Sequence, residues 1–212
     1  MSSAMTIEQV RNNWRTMLYN RSHTEYPRGA AFISVANLAT ELFRVDSMVS
    51  SSQNSCTGCE YAENPVDDRL GYVVHADGIT TNSTMEWVNS MCLKTRRACP
   101  QCRSTMNQIF FYKDVPSVLV LEYPFQNIVT SHRLEFRSDT RMNTLVLRGI
   151  VYHGDNHFTS RIVSLDNQVW YHDGMTTGRL CASDGLLNDL CDNDLRMCRE
   201  KNLVLAVYAQ SL

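Results

Sequence analysis

Apolar residues recur with two different periods along this chain: a helical period near its start and a strand-like pattern in its second half. Before residue 44 they recur every three or four positions, which predicts helices over residues 6–20 and 34–43. Beyond residue 116 they form short runs or alternate with polar residues, which predicts strands. The predicted strands cover residues 117–123, 143–153, 157–163, 168–172 and 202–209. We therefore expect an α+β fold in which helices precede a largely antiparallel sheet.

Two further segments complete this prediction. Residues 43–56, "FRVDSMVSSSQNSC", alternate as an exposed strand does. The region 45–112 is rich in turn residues and polar strands, so we expect it to have little core of its own. Residues 185–197 are predicted to form a helix because leucines recur there at helical spacing. These leucines are Leu186, Leu187, Leu190 and Leu195.

Composition and charge are those of an ordinary globular protein and give no sign of nucleic-acid or membrane binding. The chain has 212 residues, 43% of them hydrophobic and 20% charged, which suits one domain or one domain with an inserted lobe. A net charge of -2 gives no reason to expect binding to nucleic acid or to an anionic membrane. No apolar run approaches the ~20 residues of a membrane helix. The first residues lack a secretory signal, so we expect a reducing compartment, the cytoplasm or the nucleus.

Four of the eight cysteines form two CxxC pairs, Cys56 with Cys59 and Cys99 with Cys102. Two thiolates three positions apart on a tight turn can face one metal ion, and a second pair completes a tetrahedral site that suits zinc. All four positions are then filled by sulfur, so the zinc would be structural rather than catalytic. Gly58 is expected to allow the first turn a positive φ.

Other interpretations of the cysteines stay open. The four could be free thiols, or one pair could be a redox-active CxxC, which would leave the second pair without a role. The paired spacing favours the zinc interpretation. Cys92 lies between the pairs, fits neither, and is expected to be a buried apolar residue.

Residues 152–174 contain three histidines and three aspartates on a pattern that predicts a β-hairpin. A carboxylate that contacts one imidazole nitrogen makes the other nitrogen an effective general base. With a four-residue loop at 164–167, Val163 would face Gln168, and Asp173 would reach His157 only through a bulge or from just past the strand end. A merely polar surface hairpin is the alternative, and His153 or His172 could equally be the base.

Taken in chain order, these features resemble the ubiquitin-specific proteases, the papain-like deubiquitinases with finger, palm and thumb subdomains. The resemblance covers about residues 34–210. The matching segments are "ATELFRV", the two CxxC pairs, "VPSVLVLEYP", the histidine box "LVLRGIVYHGDNHFTSRIV", "VWYHDG" and the closing "NLVLAVYAQ". The resemblance implies a papain-like deubiquitinase fold, with partial thumb helices at 6–43, zinc-ribbon fingers at 44–112 and an antiparallel β palm at 113–212, together forming one domain.

The resemblance also implies roles for individual residues. His157 would be the general base, and Asp173 would orient it. A structural zinc in the fingers would be bound by Cys56, Cys59, Cys99 and Cys102. Fingers and palm would hold ubiquitin or a ubiquitin-like protein, and the protein would act as a monomer. Gly154 and Asp155 occupy positions where the family has small residues beside the substrate tail.

The chain departs from the family at the nucleophile. The family's nucleophilic cysteine belongs to a box upstream of the fingers, and here no cysteine precedes Cys56. The usual Gly-Gly-His is Asp155-Asn156-His157, and the segment that carries Asp173 is one residue shorter than the commonest spacing. Three cysteines follow the histidine box: Cys181, Cys191 and Cys198. The last two are expected to share one packed face of the predicted helix.

These observations predict a ubiquitin-specific-protease-like domain whose chemistry is thiol hydrolysis of the bond that follows ubiquitin. We expect this chain to be inactive because the cysteine box is missing. A non-catalytic, zinc-containing module that binds ubiquitin or another protein is the alternative. A zinc-ribbon nucleic-acid binder is a third, which the near-neutral charge disfavours although "KTRRACPQCR" is locally basic.

Overall fold

The computed structural model describes residues 7–28, 34–43, 49–68, 73–75, 81–123 and 128–211, and divides the chain into units 1–38 and 39–212. The helices are α1 Ile7–Arg21, α2 Val35–Leu42, α3 Thr84–Ser90 and α4 Asp192–Arg196, with a 3-10 helix at Leu187–Asp189. The strands are β1 Ser50–Cys56, β2 Val66–Asp68, β3 Val73–His75, β4 Cys92–Ala98, β5 Thr105–Tyr112, β6 Val118–Glu122, β7 Arg133–Arg137, β8 Met142–Gly154, β9 His157–Val163, β10 Gln168–His172, β11 Ala182–Leu186, β12 Met197–Cys198 and β13 Lys201–Gln210.

The two helices predicted at the start of the chain are confirmed. In α1 the apolar face buries Leu18, and the segment after the helix buries Tyr26. The start of α2 is fixed by Ser34, whose Oγ accepts a hydrogen bond from the Asn37 N–H at 3.3 Å. A short polar side chain at the position before a helix thus satisfies a backbone donor that the helix itself cannot.

A four-stranded antiparallel sheet, in the order β2-β1-β5-β4, forms the middle of the chain. Strand β1 has the sequence Ser-Ser-Ser-Gln-Asn-Ser-Cys, and polar contacts hold it in place of apolar packing. Gln108 Nε2 donates to Ser52 Oγ at 3.1 Å, and Asn54 Nδ2 donates to Glu63 Oε2 at 2.8 Å. The predicted strand over 43–56 is confirmed from residue 50, and residues 44–48 lie outside the described part of the chain. Strands β4 and β5 nevertheless bury Leu93 and Tyr112 in the core cluster of the larger sheet, so the smaller sheet shares that core.

The larger sheet, described with nine strands, has the order β11-β10-β9-β8-β13-β6-β3, with β7 beside β8 and β12 beside β13. Its described pairs are antiparallel except that of β3 with β6, so the predicted antiparallel sheet is confirmed. Alternate residues of the central strands fill the core, which α3 joins through Trp87 and Val88. The β8 strand contributes Leu145, Leu147, Ile150 and Tyr152, all buried.

The helix predicted over 185–197 is wrong. The segment instead forms the end of β11, a 3-10 turn and the short helix α4. Gly185 has a φ of 92°, which no helix accommodates, and Leu186 pairs with Gln168 of β10. Leucines at helical spacing imitated a helix, but pairing with the sheet edge decides the conformation. As a result, Cys191 and Cys198 do not share a helix face.

Candidate functional site

The β9–β10 hairpin positions both candidate catalytic residues, and its register differs by one position from the prediction. Val163 pairs with Val169, one residue beyond the predicted partner. Ser164 instead pairs with Gln168, to whose backbone oxygen its N–H donates at 3.0 Å, and Asn167 closes the turn in a left-handed conformation, with a φ of 64°. A shift of one residue exchanges the two faces of a strand. Asp173 therefore comes onto the same face as His157, just past the end of β10, and no bulge is needed between β9 and β10.

His157 and Asp173 are in direct contact. The Nε2 atom of His157 lies 2.7 Å from Oδ1 of Asp173. An ionised carboxylate only accepts hydrogen bonds, so Nε2 carries the hydrogen and Nδ1 of the neutral imidazole carries the lone pair. Within the described ranges no residue hydrogen-bonds Nδ1. The His157 side chain is 27% exposed and that of Asp173 9%, so the histidine side of the pair is the accessible one.

Three more groups hold Asp173. The Tyr171 hydroxyl donates to Oδ2 at 3.3 Å, and the Met175 N–H donates to Oδ1 at 2.9 Å. The N–H of Asp173 itself donates to Thr177 Oγ1 at 3.0 Å, which fixes the turn after β10. The hydrogen bonds from His157 and then from Met175 hold the pKa of the Asp173 carboxyl well below its usual range. The carboxylate is therefore ionised at any physiological pH.

The two other histidines of the hairpin have different surroundings. His153 lies on the opposite face, where its ring packs 4.4 Å from that of Phe158. His172 Nε2 lies 3.2 Å from the backbone oxygen of Gly178. Of the three hairpin histidines, His157 is the one that the structure brings to a carboxylate within the described residues.

The cysteines outside the two CxxC pairs do not provide an activated thiol at this site. Burial raises the pKa values of the half-buried Cys92 and the buried Cys198, which favours their protonated forms. Cys191 is the N-cap residue of α4, where its N–H donates to Asp194 Oδ2 at 2.9 Å. Cys181 is exposed before β11. In the described structure none of these four contacts His157 by a hydrogen bond.

The four cysteines of the two CxxC pairs meet at one end of the smaller sheet. Their Sγ atoms all lie within 4.8 Å of one another. The Sγ atoms of Cys56 and Cys102 are 3.4 Å apart, and those of Cys59 and Cys99 are 3.8 Å apart. Tetrahedral zinc with Zn–S bonds of about 2.3 Å needs sulfurs roughly 3.8 Å apart, and none of the four is in a disulfide. The cluster can therefore bind a metal ion.

Gly58 is needed at this cluster because two turns approach closely, whereas the sequence predicted that it would allow a positive φ. Its φ is not positive. A Cβ at this position would instead lie 2.3 Å from Ser104 Oγ, so the two turns approach too closely for any side chain. The hydroxyl and the backbone of Ser104 in turn lower the pKa of Cys102 to about 6, which favours the thiolate that a metal ion needs.

Several residues around His157 and Asp173 escaped the sequence-based prediction. Tyr171 could have been found by strand alternation, because it precedes Asp173 by two positions on the same face. No pattern indicates Arg199, whose guanidinium lies 3.7 Å from the centroid of the Tyr171 ring. Buried Arg161 bonds Asp184 Oδ2 at 2.7 Å and so ties β9 to β11.

Comparison with known proteins gives structural matches alone. No family model and no curated protein matches the chain. One similar solved structure is the SAGA DUB module Ubp8/Sgf11/Sus1/Sgf73 bound to monoubiquitin, with 15% identity, a TM-score of 0.49, and 95% of this chain and 48% of that chain covered. Another is the same module bound to ubiquitin aldehyde, with 15% identity, a TM-score of 0.48 and coverages of 95% and 49%. The chain spans about half the length of these solved chains.

No helix in the described part of the chain is both long and apolar enough to cross a membrane.

Proposed function

We propose that this chain is a deubiquitinase-like domain that binds ubiquitin or a ubiquitin-like protein, with the tail of that protein beside His157. The contact of 2.7 Å between His157 and Asp173 carries the proposal, because it joins the two residues that the resemblance to ubiquitin-specific proteases pairs. These residues are far enough apart in sequence that the contact depends on the hairpin register. A surface hairpin whose side chains were merely polar would not need to bring these two residues into contact.

The pair would supply the base half of a thiol hydrolysis. Asp173 holds the hydrogen on Nε2, so Nδ1 of His157 is the atom that would take a proton from a thiol. The carboxylate would then stabilise the imidazolium that forms. No described cysteine contacts Nδ1, so we propose that this chain as given binds its partner without cleaving it.

We further propose that Cys56, Cys59, Cys99 and Cys102 bind a structural zinc ion. Four sulfur ligands leave no open position for a substrate or water, so the ion would stabilise the sheet and take no part in chemistry. The four-stranded sheet would belong to the fingers at 44–112, and the helices at 6–43 would be part of a thumb. The larger sheet would form the palm at 113–212, joined by β3 from within 44–112. We expect a monomer of the cytoplasm or nucleus that binds no nucleic acid.

The test uses ubiquitin carrying a thiol-reactive C-terminal electrophile, with products read by intact mass, alongside calorimetry with unmodified ubiquitin. We expect binding without an adduct. An adduct that disappears in His157→Ala but persists in His153→Ala, on the opposite face, would show an activated cysteine and contradict the non-catalytic assignment. Absence of binding from a folded, zinc-loaded chain would contradict the assignment to ubiquitin recognition.

A further inference from the structure

A cavity of about 370 Å³ lies between α1 and the residues that follow this helix. It belongs to the unit formed by residues 1–38, and neither the His157 and Asp173 pair nor the cysteine cluster contributes to its lining. Its size is that of a small-molecule site. The cavity is therefore a candidate binding site of its own.

The chain turns back beside α1 where the helix ends. The Tyr26 N–H donates to the Ser22 backbone oxygen at 2.9 Å, and the Tyr26 side chain is buried. Pro27 follows, and it cannot extend a helix because it has no N–H to donate. Together with buried Leu18 of α1, Tyr26 and Pro27 give the cavity an apolar wall.

Two arginines line the same cavity, Arg15 from α1 and Arg28 from the segment that follows. The Arg28 guanidinium lies 4.4 Å from the centroid of the Tyr19 ring, and Tyr19 is one helical turn beyond Arg15. Residues four positions apart share a face of a helix, and their side chains lean toward its N-terminus. The contact with Tyr19 therefore holds Arg28 beside the turn that carries Arg15.

Two neutral side chains add hydrogen-bond donors from the same face of α1. Asn12 and Thr16, which are four positions apart, both line the cavity. Oδ1 of Asn12 accepts a hydrogen bond from Arg11 Nη2 at 3.5 Å, so the amide NH2 is the end that is left to donate. No described contact engages the Thr16 hydroxyl, which can donate as well.

No carboxylate neutralises the two guanidinium groups in the part of the chain that the structure describes. None of the residues that line the cavity is acidic, and no described ion pair involves Arg15 or Arg28. Residues 7–28 contain four arginines and two glutamates, a net charge of +2 in a chain whose total is -2. Two like charges held close together without a counter-charge favour an anion between them.

We infer that this cavity binds a phosphate monoester of a flat apolar group, the chemistry that a phosphotyrosine side chain carries. The phosphate would lie between Arg15 and Arg28, whose planar guanidinium groups match its oxygens. A phosphate monoester carries close to two negative charges at neutral pH, which two arginines balance. Asn12 and Thr16 would donate to its remaining oxygens.

The apolar wall is the reason to expect a ring as well as a phosphate. Inorganic phosphate would leave Leu18, Tyr26 and Pro27 facing water, whereas a ring attached to the phosphate would cover them. The inference goes beyond the proposed function, because this site requires neither His157 nor bound ubiquitin.

The experiment titrates the full, zinc-loaded chain with phenyl phosphate, with inorganic phosphate and with phenol, followed by ¹H–¹⁵N NMR. We expect phenyl phosphate to bind about tenfold more tightly than either smaller molecule and to shift the amide signals of residues 12–28 but not those of β8 and β9. Arg15→Gln with Arg28→Gln should weaken its binding by about tenfold or more, because charge-assisted contacts are lost. The matched control is Arg21→Gln with Arg133→Gln, which removes two exposed charges outside the cavity and should bind as the wild type does.

Four results would overturn the site. Phenyl phosphate that binds no more tightly than inorganic phosphate would leave the apolar wall without a role. Unchanged affinity in the Arg15 and Arg28 variant, shown to be folded by circular dichroism, would overturn the assignment of these residues. An equal loss in the control would attribute binding to overall charge, and amide shifts centred outside residues 12–28 would place the ligand elsewhere.

A phosphotyrosine peptide flanked by alanines distinguishes the two sources of such a ligand. Tighter binding of this peptide than of phenyl phosphate would support the site and identify its ligand as a phosphorylated protein segment. Binding that is equal or weaker, with the same dependence on Arg15 and Arg28, would support the site and identify its ligand as a free small molecule.

Discussion

At the scale of single residues, Asp173 determines which nitrogen of His157 is free. Its two oxygens accept hydrogen bonds from an imidazole, a phenol and a backbone N–H. Such a carboxylate has a fixed orientation, and it fixes the imidazole tautomer in turn. The same arrangement links the site to acid stability, since the native state favours the ionised form of Asp173.

The substitution Asp173→Asn should remove the preference of His157 for a hydrogen on Nε2. An amide can present either its oxygen or its nitrogen to the ring, so both tautomers become accessible. The measurement is a long-range ¹H–¹⁵N NMR spectrum of the histidine side chains at pH 8. Tyr171→Phe is the control, because it affects Oδ2 and leaves the bond from His157 to Oδ1 in place. A single unchanged tautomer in Asp173→Asn would contradict this account.

Asp173 should also make the protein more sensitive to acid. Its pKa in the folded state lies below the ordinary value of about 3.9, so the unfolded chain binds a proton first as the pH falls. The stabilising contribution is present above about pH 4 and is lost progressively below it. Urea unfolding at pH 5 and pH 3 should therefore show a smaller loss in Asp173→Asn than in the wild type. Asp189→Asn, in the exposed 3-10 turn, should match the wild type.

At the scale of elements, the two CxxC turns depend on their close approach as much as on their cysteines. Gly58 and Ser104 leave no space between them for a Cβ. The alternation and spacing in the sequence predicted the paired turns and the polar strand β1. They could not predict this approach, which depends on how two turns from distant segments pack together.

Gly58→Ala should weaken zinc binding by about tenfold or more, because the new methyl would push the two turns apart and distort the sulfur cluster. Competition with a colorimetric chelator measures the affinity. The double variant Gly58→Ala with Ser104→Gly removes both atoms that the methyl would meet and should recover part of the loss. Equal affinities in the single and double variants would show that steric conflict is not the cause.

The limits of sequence-based prediction differ between segments for physical reasons. The strands β6, β8 and β13 are rich in β-branched and apolar residues, and all three were predicted correctly. The residues 185–197 were not, because their conformation is decided by pairing with β10 at the edge of the sheet. For the candidate site, motif resemblance singled out His157 and Asp173 as a pair, and the structure shows their contact. The hairpin register, set by the left-handed Asn167, had to come from the structure.

At the scale of the whole molecule, residues 39–212 contain two sheets whose strands are held in different ways. The larger sheet has a continuous apolar core, whereas β1 is held by polar contacts and by the turns that carry the cysteine cluster. A strand as polar as β1 needs a source of stability other than apolar burial. Metal binding is the source that the cluster offers.

Removal of zinc by a chelator should therefore unfold the smaller sheet first. Amide exchange should increase by more than tenfold in residues 50–56 and 105–109, while β8 and β13 stay protected. Mass spectrometry of the exchanged protein with and without chelator measures both regions at once. Cys92→Ser, which leaves the four ligands intact, should respond like the wild type. Uniform exchange over both sheets would show that they unfold as one unit.

The turn at Arg199 and Glu200, where φ is 48° and 67°, has a consequence for how this protein should respond to selection. Asn-Gly at these positions would fit the backbone better, and would gain on the order of 1 kcal/mol per residue in stability. The same exchange would remove the guanidinium from above Tyr171. A laboratory screen for heat resistance alone should therefore discard Arg199 early. Natural sequences that keep arginine there would reveal that its contact with Tyr171, which donates a hydrogen bond to Asp173, outweighs the strain of the turn.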